Sequence, residues 1–138
     1  MIQYIAEDIK FPSLEKLKIN RWIKETATGY GFKTGDIAYI FCSDERILEI
    51  NKQYLNHDYY TDIITFDFSD GSIISGDIFI SLDTVKSNAV EFKVSFEQEL
   101  KRILIHGILH LCGQNDNTPE LRLQMIEKEN LALKKYPE

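Results

Sequence analysis

The stretch SFEQELKRILIHGILHL (95–111) sets the strongest limit on how this chain can fold. Ser95, with Gln98 three residues later, makes a capping box, each side chain bonding the other residue's backbone N–H at a helix start. Apolar Leu100, Ile103, Leu104, Ile108 and Leu111 then recur at helical spacing. The pattern predicts a helix of about four turns with a wide apolar face. The rest of the chain has to cover that face.

The flanking sequence supplies both helices and strands. Ile2–Ala6 reads as a short strand. After Pro12, apolar Ile19, Trp22, Ile23, Thr26, Ala27 and Tyr30 predict a helix that stops at Gly29–Gly31. Ile37–Cys42 is a continuous apolar run, the mark of a buried strand. Ser43 caps a helix through roughly Tyr54. Residues 62–68 alternate, with Ile64, Phe66 and Phe68 on one face and Ile63, Thr65 and Asp67 on the other. Asp70-Gly71 is a turn signal, and GDIFIS (76–81) completes a hairpin. Ser81 caps a helix with a Leu82, Val85, Ala89 and Phe92 stripe, and Thr118-Pro119 opens a last helix to about Leu133. A single α+β domain over residues 1–138, built on a small mixed sheet, fits this order.

Chemistry concentrates in HGILHLCGQND (106–116). His106 and His110 are one helical turn apart and point the same way, so two imidazoles can reach one zinc ion. Gly113 ends the helix and lets the chain turn back. Asp116 follows as a third candidate ligand. Three N/O ligands with a position open to water is the pattern of a catalytic rather than a structural zinc. Gly107 stands where a zinc peptidase of the HExxH kind keeps its glutamate base, so peptide hydrolysis by that route is disfavoured. A phosphodiester, whose oxygens a metal can polarise, is the better substrate. Cys42 and Cys112 form no ligand-spaced pair, so neither a disulfide framework nor a thiolate zinc site is expected.

Charge narrows the partners. The formal net charge is −6, which argues against unselective nucleic-acid binding. Residues 1–35 carry six basic and four acidic side chains, and residues 36–76 carry two and eight. That skew admits a basic surface near the first helix, although a solvated charged helix face is the commoner outcome. No apolar run approaches the roughly 18 residues of a membrane span, and MIQYIAEDIK lacks a signal-peptide pattern. The cytoplasm is the expected compartment.

At this point the motifs resemble a known family. HGILHLCGQND resembles the H-G-x-L-H-L-x-G-x-D-H signature of the YbeY family, metal-dependent endoribonucleases of rRNA maturation. INKQYLNHDYYTDIITF (50–66) and GDIFIS (76–81) resemble two further family segments, in the same order, so that the likeness spans roughly residues 45–120. It implies a zincin-like α+β fold with the histidine helix beneath a strand-lined groove. It also implies one catalytic Zn2+ held by His106, His110 and Asp116. The substrate implied is single-stranded RNA, in rRNA maturation and ribosome quality control, with the small ribosomal subunit and its proteins as partners.

Two positions depart from the family pattern. The third histidine of the signature falls on Asp116, a competent but anionic ligand. The family's arginine falls on Leu55, which cannot bind phosphate. His57, two positions on, is the candidate to take over its catalytic role. Thr61 and Asp62 match the family's T-D pair and are expected to orient the strand entry, while Asp77 is structural or partner-facing. Two rivals stay open: another metal-dependent hydrolase such as a peptidase, and a non-catalytic ribosome-assembly factor with a structural metal, which Leu55 favours.

Overall fold

The structure, a computed structural model, describes residues 1–55 and 61–137. Four strands form one sheet in the order β1-β2-β4-β3. β1 (Ile2–Ala6) runs parallel to β2 (Lys33–Cys42), and β2 runs parallel to β4 (Ile73–Ser81). β3 (Ile63–Asp67) pairs antiparallel with β4 as a hairpin whose tip holds Asp70 and Gly71. The helices are α1 (Lys16–Gly29), α2 (Asp44–Tyr54), α3 (Leu82–Phe92), α4 (Phe96–Leu111) and α5 (Pro119–Lys134). This is the α+β arrangement on a small mixed sheet that the sequence order predicts. Among the described residues no helix is long and apolar enough to cross a membrane.

Local chemistry explains the helix starts. The Ser43, Ser81 and Thr118 hydroxyls accept hydrogen bonds from the N–H groups of Arg46, Thr84 and Leu121, at 3.2, 3.3 and 3.1 Å. The capping box of α4 is complete, with Gln98 N–H donating to Ser95 Oγ and Ser95 N–H to Gln98 Oε1, both at 3.1 Å. Each such cap is worth roughly 1 kcal/mol, because it satisfies N–H groups that the helix itself cannot. Only α1 starts without a side-chain cap. Its place is set by packing.

Packing separates the two faces of the sheet. On one face Ile37, Tyr39 and Phe41 of β2, with Ile74, Ile78 and Ile80 of β4, meet Trp22 and Ile23 of α1 and Leu104, Ile105 and Ile108 of α4. On the other, Ile47 and Ile50 of α2 meet Cys42 and Ile64, with Phe66 and Phe79 alongside. β2 is thus apolar on both faces, which is why it reads as an unbroken run. It is also longer than that run, because a register shift between Thr34 and Ile37 lets Lys33 and Thr34 pair with Ile73 and Ile74. Gly76 is required where the hairpin closes: a Cβ there would lie 2.3 Å from the Phe66 carbonyl oxygen.

The ends of the chain meet. Trp22 Nε1 donates to the Ala132 carbonyl at 2.7 Å, and the indole packs edge-on against the Tyr136 ring. This fastens α5 to α1 across 110 positions of sequence and sets α5 beside the histidine helix.

Candidate functional site

Helix α4 is buried along most of its surface, including Leu100, Ile103, Leu104, Ile105, Ile108, Leu109 and Leu111. A stripe spaced by four residues escapes the core: Arg102, His106 and His110. That stripe opens on a cleft of about 1350 Å³. Thr61, Asp62, Ile63 and Thr65, at and just before β3, form one wall. Asp116 and residues of α5 line the cleft as well. A histidine helix beside a strand-lined groove is the arrangement the family resemblance implies.

Both imidazoles are oriented by partners at Nδ1. His106 Nδ1 lies 2.7 Å from a Glu129 carboxylate oxygen, and His110 Nδ1 lies 3.2 Å from the Gln114 carbonyl. A carbonyl oxygen only accepts, so His110 carries a proton on Nδ1, and in the neutral ring the lone pair lies on Nε2. A carboxylate at His106 selects the same tautomer. His106 Nε2 stands 3.5 Å from Asp116 Oδ2. The backbone makes this turn at Gly113, whose φ of +94° lies in the region that side chains disfavour. Buried Gln114 then ties the loop to α5, its amide donating to the Asn115 and Leu121 carbonyls.

The donors face one cleft without enclosing a point. The two rings are parallel within 7° and their centroids are 6.4 Å apart. Among the described residues no three of His, Cys, Asp and Glu are already gathered closely enough to hold an ion. The donor types suit a cation: two imidazoles, each with an oriented Nδ1 partner, and a carboxylate 3.5 Å from one Nε2.

Electrostatics favour the charged imidazolium at His106 in the ion-free chain, so its Nε2 becomes a donor only where a cation displaces that proton. Burial alone would lower the His106 pKa. The hydrogen bond and charge of Glu129, with Asp116 and Asp62 adding, outweigh it and raise the value above the ordinary histidine range. Burial pushes the Asp62 carboxyl up, and His106 only partly offsets this. Cys112, just past the end of α4, has its thiol pushed up to about 11 by burial and does not line the cleft.

The structure sorts the other expected residues. Thr61 Oγ1 donates to the Ile63 carbonyl at 3.4 Å, whereas Asp62 meets Ser81 N–H at 2.9 Å through its backbone carbonyl rather than its side chain. Both Thr61 and Asp62 also line the cleft. Asp77 alternates with inward-facing Ile78 and lies on the α2 side of the sheet, away from the cleft. Leu55 caps the end of α2, 40% exposed, and does not line the cleft. His57 lies outside the described residues. Three residues were missed by sequence reasoning: Glu129, Gln114 and Arg102.

Imidazoles and carboxylates gathered along one cleft are the composition of a hydrolytic site. The chain belongs to the endoribonuclease YbeY family, whose model matches residues 2–137. These are hydrolases of RNA phosphodiester bonds. The chain is 61% identical to the endoribonuclease YbeY of Parabacteroides distasonis, covering 99% of this chain and 96% of that protein. Against that of Phocaeicola vulgatus it is 59% identical, covering 96% of each. A solution structure of a Thermotoga maritima protein superposes with a TM-score of 0.64 at 28% identity, covering 97% of this chain and 87% of that one.

Proposed function

We propose that the chain is a zinc-dependent endoribonuclease that cuts single-stranded RNA in rRNA maturation and ribosome quality control, with His106, His110 and Asp116 holding one ion. The observation that carries the metal reading is the pair of Nδ1 contacts, at 2.7 and 3.2 Å, which leave both Nε2 atoms as donors toward the cleft. A zinc ion held there supplies Lewis acidity at the scissile phosphodiester.

The protein's own groups bind and orient the RNA. The cleft exceeds the roughly 300–1,000 Å³ of ordinary small-molecule pockets, which suits a stretch of polymer. Lys101, Arg122 and Lys134 line it and can meet phosphates. Arg102 also lines it, but its guanidinium is spent on Glu129 and Asn130, at 2.8 Å each. Position 107 has no side chain to accept a proton, so in this reading the Asp62 carboxyl, which also lines the cleft, takes that role. The reading extends to a cytoplasmic enzyme working with the small ribosomal subunit and its proteins.

Zinc content and cleavage of single-stranded RNA, measured together in the wild type and in His110→Ala, test it. About one zinc per wild-type chain, lost with cleavage in the variant, is the expected result. Unchanged cleavage in zinc-free His110→Ala sinks the assigned site. Zinc-loaded protein that binds small subunits yet never cuts RNA selects an assembly factor with a structural metal.

A further inference from the structure

Glu129 lies on α5, 23 positions after His106, and is 5% exposed. A carboxylate this buried is costly unless it is paired and hydrogen-bonded on every side. Both of its oxygens are engaged: Oε2 with His106 Nδ1 at 2.7 Å and Oε1 with Arg102 Nη1 at 2.8 Å. Arg102 is itself fixed, its second terminal nitrogen donating to Asn130 Oδ1 at 2.8 Å. The result is a chain of contacts, Asn130 to Arg102 to Glu129 to His106, that ends on one ring nitrogen. A stability requirement alone would be met as well by apolar side chains of the same volume. It would not call for a carboxylate aimed at Nδ1.

We propose that Glu129, held by Arg102, is a positioning residue that fixes the orientation and tautomer of His106 so that its Nε2 lone pair faces Asp116 as a metal donor. The inference rests on the metal reading of this site. It adds an asymmetry between the two imidazoles. His106 is backed by a charged, doubly anchored acceptor, whereas His110 is backed by a neutral carbonyl at 3.2 Å. A carboxylate partner makes an imidazole the more basic ligand and restrains its ring. His106 is therefore the anchor of the site, and its strength as a ligand is set from α5.

The test is an equilibrium zinc titration of the full chain against a competing chromophoric chelator, in the wild type and in Glu129→Gln. Thermal melts of the metal-free proteins run alongside. Glu129→Gln keeps the shape and removes the charge. The expected result is a ten- to hundredfold loss of zinc affinity, the usual effect of removing such a partner. A changed visible spectrum of the cobalt-substituted protein should accompany it. A folded Glu129→Gln that binds zinc as tightly as the wild type overturns the proposal and leaves the metal site standing. A wild type that binds no zinc overturns both. Should Glu129→Gln fail to fold, the His106 tautomer in the metal-free wild type decides, read from long-range proton–nitrogen correlations of the neutral ring. A proton on Nδ1 supports the proposal, and a proton on Nε2 overturns it.

Discussion

A Cβ on Gly107 would lie 3.0 Å from Cδ1 of Ile78 and 3.1 Å from its Cγ2, so the residue between the two histidines faces β4 rather than the cleft. Ile63 closes the same spot at 3.3 Å. A glutamate at 107 would start its side chain in the core and serve no cation. Gly107→Ala gains about 1 kcal/mol of helix propensity but incurs roughly 1–3 kcal/mol of overpacking against a fully buried isoleucine. The expected outcome in equilibrium denaturation is a net loss of about 1 kcal/mol. Ile78→Val in the same chain removes the closest atom and restores part of the loss, a coupling a double-mutant cycle detects.

Asp116, the proposed third donor, is only half-buried, so it separates metal binding from folding. Asp116→Asn keeps the shape and removes the charge beside His106 Nε2. Zinc affinity is expected to fall at least about tenfold, because the deprotonated carboxylate is the competent ligand. The melting temperature of the metal-free protein should move by less than about 0.5 kcal/mol would move it. Metal titration and a thermal melt of one preparation check both.

With leucine at the family's arginine position, other cations must meet the RNA backbone. Arg122 lines the cleft and has no ion-pair partner among the described residues. Arg122→Ala should weaken binding of single-stranded RNA of any sequence and lower the slope of log affinity against log salt by about one. Filter binding at several salt concentrations reads the slope. An unchanged slope places the RNA elsewhere.

Glu99, on α4, is 4% exposed, and burial raises its carboxyl above the usual range, with Arg102 pulling it back only in part. A raised folded value means that the protonated form is the one the fold prefers. Stability linked to this group is complete below the unfolded pKa of about 4.3 and declines as pH rises through the raised folded value. Glu99→Gln never ionises. It should melt above the wild type at pH 7, with the gap closing as pH falls below about 4. A gap independent of pH refutes the assignment.

What was legible in the sequence is what is local. Ser43, Ser81, Ser95 and Thr118 each cap a helix from within three residues, and His106 and His110 are one turn apart, so short-range pattern suffices for all of them. The support behind the histidines is not local: Glu129 meets His106 only because α5 is docked on α4. Its signal was present but faint. Glu129 falls between Met125 and Ala132 on the buried stripe of α5, where a carboxylate needs a partner. Nothing in the spacing of α5 says which element supplies that partner. Leu55 looked like the weakest point of the site from alignment alone; it sits at the end of α2, outside the cleft.

Trp22 is the only tryptophan of the chain. Its indole proton is held by the carbonyl of Ala132, three residues beyond Glu129, and its ring abuts Tyr136. Its emission is therefore an optical gauge of the seat of α5. Any event that lifts this helix, whether truncation, heat or a mutation at its far end, changes the indole's surroundings as it withdraws Glu129 from His106. One fluorophore supplied by the sequence thus watches assembly of a site it does not touch.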